Sequence, residues 1–166
     1  MEQQSEIERR IWSVLHGVPD PEIPVLSVVD LGIVRHARVA ADGAIQVGLS
    51  PTYSGCPATE AIKTSVESAL RNAGFAHVEV SEVLAPAWTS DWITAEGRRK
   101  LHEYGIAPPV ETVSRPRQLV RPAPVIACPL CGSRETSRIS EFGSTPCKAL
   151  YRCVSCLEPF DYFKCH

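Results

Sequence analysis

What this sequence lacks narrows its possibilities first. No apolar run among its 166 residues approaches the ~18 needed to cross a bilayer, so no membrane span is expected. The opening MEQQSEIERRIW mixes acids and bases, which argues against a secretory signal peptide. Charge of one sign is also missing. The formal net charge is −2, which removes the broad basic surface of a dedicated nucleic-acid binder. The five histidines are scattered and never recur at ligand spacing: His36 and His77 fall on expected strands, His16 and His102 near expected helix ends. There is no internal repeat and no long low-complexity tract. With 44% hydrophobic and 22% charged residues, the chain reads as a cytoplasmic globular protein of one domain plus a small appendage.

Cysteine is plentiful and unevenly placed. Six of the seven lie between Cys128 and Cys165. In a cytosolic chain, thiols that dense read as metal ligands before disulfides. Charge divides in the same way: residues 1–115 carry 10 Lys/Arg against 15 Asp/Glu, and 116–166 carry 7 against 4. Between the two regions, SRPRQLVRPAPVIA has prolines at 116, 122 and 124, which remove backbone donors and favour extended chain. The expected organisation is an α+β domain over 1–113, a Pro-rich linker over 114–125 and a cysteine-rich, zinc-ribbon-like domain over 126–166.

Ile7, Ile11, Val14 and Leu15 form one helical stripe, stopped by Gly17 and Pro19. Three prolines in HGVPDPEIP then forbid regular structure. LGIVRHARVA, the turn Asp42-Gly43 and AIQVGLS predict a hairpin with one buried face. After the loop PTYSG, Cys56-Pro57 introduces a helix over Ala58–Ala73, stopped by Gly74. HVEVSEVL predicts another strand with Val78 and Val80 on one face. SDWITAEGRRKLHEYGI predicts a last helix, started by Ser90 or Asp91 and ending near Gly105. The order helix–strand–strand–helix–strand–helix implies a small helix/sheet sandwich with its own core.

Cys128-Pro-Leu-Cys131-Gly132 and Cys153-Val-Ser-Cys156 are two C-x-x-C knuckles with 21 residues between them. Two such turns can place four thiolates around one Zn²⁺, a closed site that serves folding and not catalysis. Cys147, Cys165 and His166 are left over and read as buried or terminal groups in preference to a second site. A second constellation is Pro51-Thr52-Tyr53-Ser54-Gly55-Cys56-Pro57, where a lone thiol sits at a helix start. The unpaired N–H groups there stabilise thiolate and make Cys56 a candidate soft-metal ligand or nucleophile. Gly55 is expected to let a ligand or another backbone approach. The inert alternative, a cysteine packed under the helix, stands equally open. A third constellation is Asp20, Glu22 and Asp30, three carboxylates in eleven residues. They could bind a hard cation or a partner's arginines, but such groups more often cap turns. Trp88 and Trp92 read as core or interface, and Arg98, Arg99 and Lys100 as a solvated face.

Asp20-Pro-Glu-Ile-Pro, Asp30-Leu-Gly-Ile-Val, Thr52-x-x-x-Cys56-Pro and Pro86-Ala-Trp88 together resemble the iron–sulfur-assembly domain of SufT-like proteins over roughly residues 5–107. With the tail Phe142-Gly-Ser-Thr-Pro-Cys147 through Cys153 and Glu158-Pro-Phe-Asp-Tyr-Phe-Lys-Cys165, the whole chain resembles the PaaD-type subunit family of the phenylacetyl-CoA epoxidase system. The family often has a double proline before the tryptophan, and here Ala87 stands in the second place. The resemblance implies maturation of a di-iron oxygenase and its flavin and iron–sulfur reductase in aerobic phenylacetate degradation, not turnover. It implies Cys56 as the thiolate for transient iron or cluster contact, with Asp20, Glu22, Asp30 and Thr52 lining the same end of the domain. One thiol is too few for a stable cluster, so a site shared across a homodimer or completed by the client is expected.

Three other readings compete. The chain could be a structural or regulatory subunit stably bound to the oxygenase. The basic tail could read nucleic acid, but Arg117, Arg121, Arg134, Arg138, Lys148, Arg152 and Lys164 are spread out, and only Tyr151, Phe160, Tyr162 and Phe163 offer stacking. A C-x-x-C thiol oxidoreductase is disfavoured by the matched pair of knuckles.

Overall fold

The computed structural model describes residues 2–53, 55–110 and 125–164. The described residues divide into two units, one running up to Gly97 and the other from Arg98 onward.

In the first unit, α1 (Glu2–His16) buries Ile11 and Leu15 completely. It closes where Gly17 N–H donates to the Val14 carbonyl at 2.9 Å. The proline-rich loop that follows has no regular structure, yet it supplies much of the core: Ile23, Leu26, Val28, Leu31 and Ile33 are all buried. β1 (Val34–Val39) and β2 (Ile45–Leu49) form the expected antiparallel hairpin. Its turn is closed by Asp42, whose Oδ1 accepts from Ala44 N–H at 3.0 Å. Gly48 of β2 leaves room for a neighbouring ring; a Cβ there would meet His36 Cε1 at 2.2 Å.

α2 (Ala58–Asn72) buries Ala58, Ile62, Val66 and Leu70, a stripe at spacing i+4 that seats it on the sheet. Full burial of side chains such as Val66 and Leu70 contributes about 1.5–3 kcal/mol each. The helix ends at Gly74, whose φ is +96°. β3 (Val78–Glu82) then joins β2 in parallel, giving the sheet order β1-β2-β3. Val78 is buried and Val80 half-buried.

The last expected helix is broken in two. Ser90–Trp92 form a single 3-10 turn, with Thr89 Oγ1 accepting from Asp91 N–H at 3.4 Å. Ile93 is then extended (ψ 125°), and α3 runs over Ala95–Glu103 with Thr94 Oγ1 capping Gly97 N–H at 2.9 Å. The cause is tertiary. Thr94 N–H is taken by the Asp30 carbonyl at 2.9 Å, which pulls the backbone out of helix just where Ser90 and Asp91 promised a start.

The second unit contains the end of α3, β4 (Ile106–Ala107), β5 (Thr136–Ser140), β6 (Lys148–Cys153) and β7 (Pro159–Phe163). The sheet order is β4-β7-β6-β5, with β4 parallel to β7 and the other pairs antiparallel. Its core is Ala107, Ile126, Cys128, Ala149, Cys153, Phe160 and Tyr162. Residues 106–107 therefore pair with the cysteine-rich sheet, and the division between units falls within α3. Of the expected linker, only Val125 lies within the described residues; Cys165 and His166 lie outside them.

Candidate functional sites

The two C-x-x-C knuckles meet. Cys128 and Cys131 lie in the turn ahead of β5; Cys153 ends β6 and Cys156 lies in the turn to β7. All four Sγ atoms fall within 4.8 Å of one another, the only group of three or more such ligands among the described residues. Two Sγ–Sγ distances are 3.8 Å (Cys128–Cys156) and 3.5 Å (Cys131–Cys153). Four thiolates held tetrahedrally ~2.3 Å from one ion stand ~3.8 Å apart, so the donor set fits a single metal of zinc's size.

The knuckles are built alike. Cys128 N–H donates to the Ser133 carbonyl at 2.9 Å, and Cys153 N–H to the Glu158 carbonyl at 3.0 Å. In both, the residue after the second cysteine is left-handed: Gly132 at φ +77° and Leu157 at φ +66°. Ser133 and Ser155 tie the turns together through a 2.8 Å hydroxyl contact. Without a cation, four thiols this close cannot all ionise. The Cys156 backbone N–H, donated to Cys153 Sγ at 3.5 Å, leads in lowering the Cys153 thiol to about 6. At Cys156 the Glu158 N–H pulls downward, yet burial and the surrounding cysteines push the thiol up to about 12. At Cys131 the Ser133 N–H also lowers, but the net shift is upward, led by Cys153. A divalent ion is the charge that would let all four be thiolates.

Cys56 sits in the first unit, half-buried, one residue before Pro57 at the start of α2. Its N–H donates to the Tyr53 carbonyl at 3.2 Å, and its carbonyl accepts from Thr59 N–H at 3.1 Å, which fixes the loop onto the helix. Gly55 has φ +79° with nothing within 4 Å of an added Cβ, so its backbone angle demands glycine, not a close neighbour. Thr52, with Ser50 and Tyr53, faces Leu84, Ala87 and Trp88 across a cleft of about 140 Å³. Sequence reasoning missed Ser50 and Leu84 here; Ser50 ends an alternating strand and gives no motif signal.

Two of the carboxylates, Asp20 and Asp30, cap turns of the loop itself. Asp20 Oδ1 accepts from Glu22 N–H (2.9 Å) and Ile23 N–H (2.7 Å). Asp30 Oδ2 accepts from Ser27 N–H at 2.9 Å, while Ser27 Oγ accepts from Asp30 N–H at 3.0 Å. Both aspartates are buried and Glu22 is half-buried. Asp30-Leu31 reaches the cleft through Trp88, whose Nε1 donates to the Leu31 carbonyl at 3.0 Å. No group of three metal-ligand side chains forms around Cys56 among the described residues.

Comparison with known proteins follows this division. Residues 8–83 match the family described as iron–sulfur cluster assembly protein, and residues 112–164 match the PaaD zinc beta ribbon domain. An Escherichia coli (strain K12) protein, provisionally named as one of the subunits of 1,2-phenylacetyl-CoA epoxidase, is 51% identical over 155 residues, covering 93% of this chain and 91% of the relative. The chain belongs to the PaaD family. The first part of this PaaD-family chain is also similar to the Fe-S protein maturation auxiliary factor of Porphyromonas gingivalis (strain ATCC BAA-308 / W83). The identity there is 33% over 97 residues, 58% of this chain and 91% of the relative. A crystal structure of a DUF59 domain from Bacillus anthracis shares the fold: TM-score 0.55, 24% identity, covering 60% of this chain and 95% of that one. The fold is thus the expected assembly-type α+β domain followed by a zinc-ribbon-like domain.

Proposed function

We propose that this chain is an accessory maturation factor of a multicomponent phenylacetyl-CoA epoxidase, working in the cytoplasm to assemble or repair the iron–sulfur or di-iron centres of its reductase and oxygenase components. The observation that carries the reading is the half-buried Cys56 thiol at the start of α2, in a domain whose relatives bear the Fe-S maturation name. A cysteine sulfur at a helix start suits soft iron as a ligand and can release it. Iron or a cluster is cargo here, held between Cys56 and the client or across a homodimer, because one thiol cannot retain a cluster alone. Thr52 faces the cleft beside Cys56's loop, while Asp20 and Asp30 shape the adjoining turns, with Glu22 at their edge. Cys128, Cys131, Cys153 and Cys156 hold structural zinc, and the role is maturation, not turnover.

The test pairs metal analysis with client maturation. Wild type and Cys56→Ala, purified without oxygen, should each carry one zinc, with iron or a sulfide charge-transfer band in wild type alone. Client components matured beside the variant should lose iron. Full client maturation with Cys56→Ala would sink the reading.

One observation favours a second reading, a structural or regulatory subunit bound stably to the oxygenase. Leu130, Ile139, Phe142 and Val154 of the second unit are all more than half exposed, a large apolar display for so small a domain. Co-purification with the oxygenase at fixed stoichiometry would favour it.

A further inference from the structure

The basic residues that look scattered in the tail sequence sort sharply in space. Lys148 is buried against Asp161 at 3.6 Å and is spent on the fold. Arg134, Arg138 and Lys164 instead converge on a cleft of about 590 Å³ in the second unit, floored by Ala149, Tyr151 and Tyr162. Among the described residues lining the cleft, only Glu141 opposes them, and its carboxylate is already paired with Arg138 at 2.5 Å. Lys164 is steered toward the same rim, with its Nζ 3.1 Å from the Glu141 carbonyl and 4.4 Å from the centre of the Phe142 ring. The result is an apolar floor with an excess of positive charge at its edge, beside Val125 and Phe142, both about 63% exposed.

We propose that this cleft docks an extended acidic segment of a partner protein that carries an apolar anchor side chain between its carboxylates. Charge complementarity selects that occupant. Guanidinium groups bind carboxylates by paired N–H donors, and the half-desolvated floor strengthens the contact. The chain's own residues 111–124 are the wrong sign, with three arginines against Glu111. Nucleic acid is the poorer fit. Tyr162 is 4% exposed, and Tyr151 is half-buried, stacked on Phe160 at 5.9 Å and edge-to-face with Tyr162 at 5.6 Å, so the two rings make a poor stacking platform for bases. The docking surface stands apart from the Cys56 reading and does not depend on it.

The probe is a fluorescently labelled decapeptide alternating Asp/Glu with Leu/Phe, titrated with the full-length zinc-loaded chain at low and high salt. Its charge-inverted Lys/Arg counterpart and a labelled single-stranded oligonucleotide are titrated in parallel. The acidic peptide should bind, weaken with salt, and bind about tenfold or more weakly to Arg134→Glu. Arg134 is exposed, so the variant should keep its zinc and its circular dichroism. A double variant, Arg134→Glu with Lys164→Glu, should abolish binding. Failure of the acidic peptide to bind, equal binding of the basic peptide, indifference to both variants, or tighter binding of the oligonucleotide would each overturn the proposal.

Discussion

Trp88 and Leu31 are 57 residues apart in sequence, yet the indole Nε1 of the first donates to the carbonyl of the second at 3.0 Å in a buried setting. The bond holds the segment after β3 against the loop that carries Asp30, and Trp88 also forms a wall of the Thr52 cleft. Trp88→Phe keeps most of the apolar volume and deletes the donor, leaving a buried carbonyl unmatched. The expected loss is about 1–3 kcal/mol, read as a lower urea midpoint for the first unit. An unchanged midpoint would mean that water reaches the carbonyl.

Gly32 and Gly55 separate two reasons for glycine. At Gly32 (φ +67°) an added Cβ would lie 2.2 Å from the Trp92 carbonyl oxygen, while the Arg35 guanidinium covers the Trp92 ring 3.4 Å from its centre. At Gly55 (φ +79°) the same Cβ would meet nothing. Gly55→Ala should therefore cost only the left-handed backbone, about 1–2 kcal/mol. Gly32→Ala adds a clash with backbone that cannot rotate away, and should cost more than about 3 kcal/mol or prevent folding. Parallel denaturation of the two variants checks the order.

The contrast also marks what was legible in the sequence. Local signals carried far: the α1 stripe that buries Ile11 and Leu15, the Asp42-Gly43 turn and the stop of α2 at Gly74 each appear where periodicity and turn chemistry put them. The meeting of Cys128, Cys131, Cys153 and Cys156 was legible because their spacing encodes the knuckle geometry. Long-range commitments were not. Nothing local to Ser90–Asp91 says that Thr94 N–H will be claimed by the Asp30 carbonyl, so the helix start was misplaced. The carboxylates Asp20 and Asp30 were visible as a cluster, but only the fold tells that each caps its own turn. Ser50 gave no signal at all, since a serine at the end of a strand is ordinary until a cleft opens beside it.

Lys63 of α2 bridges two carboxylates, Glu82 of β3 at 2.6 Å and Glu60 at 2.9 Å. Glu82 first and Glu60 second raise its ammonium pKa above the ordinary 10.5. A raised folded value means the stabilisation is fully present below the unfolded pKa and is lost as pH climbs through the folded one. Lys63→Met should cost no more than about 1 kcal/mol at neutral pH, since both glutamates are partly solvated. The gap from wild type should close as pH climbs past the raised lysine value, as followed by urea midpoints across the alkaline range. A gap that persists there would assign the effect to packing of the lysine stem.

Leu157 occupies, in the second metal knuckle, the backbone position that Gly132 fills in the first. It is held at φ +66° and is 60% exposed, so both its backbone and its side chain are placed against their preferences. A left-handed non-glycine residue is strained by roughly 1–2 kcal/mol. Arg152 Nε, which donates to the Leu157 carbonyl at 3.2 Å, and the Cys153 N–H bond to Glu158 at 3.0 Å keep the turn in place regardless. Leu157→Gly should leave the four thiols in register and raise the stability of the metal-loaded domain by up to about 1 kcal/mol. Chelation should unfold the cysteine-rich domain in both proteins, because ion binding and folding are one equilibrium at such a site. The β1–β3 sheet of the first unit should survive the same treatment. Backbone NMR before and after chelation, combined with the chelator concentration at half-loss, reads both effects. A glycine variant that gives up its metal more easily than wild type would show that the strained leucine supports the knuckle it distorts.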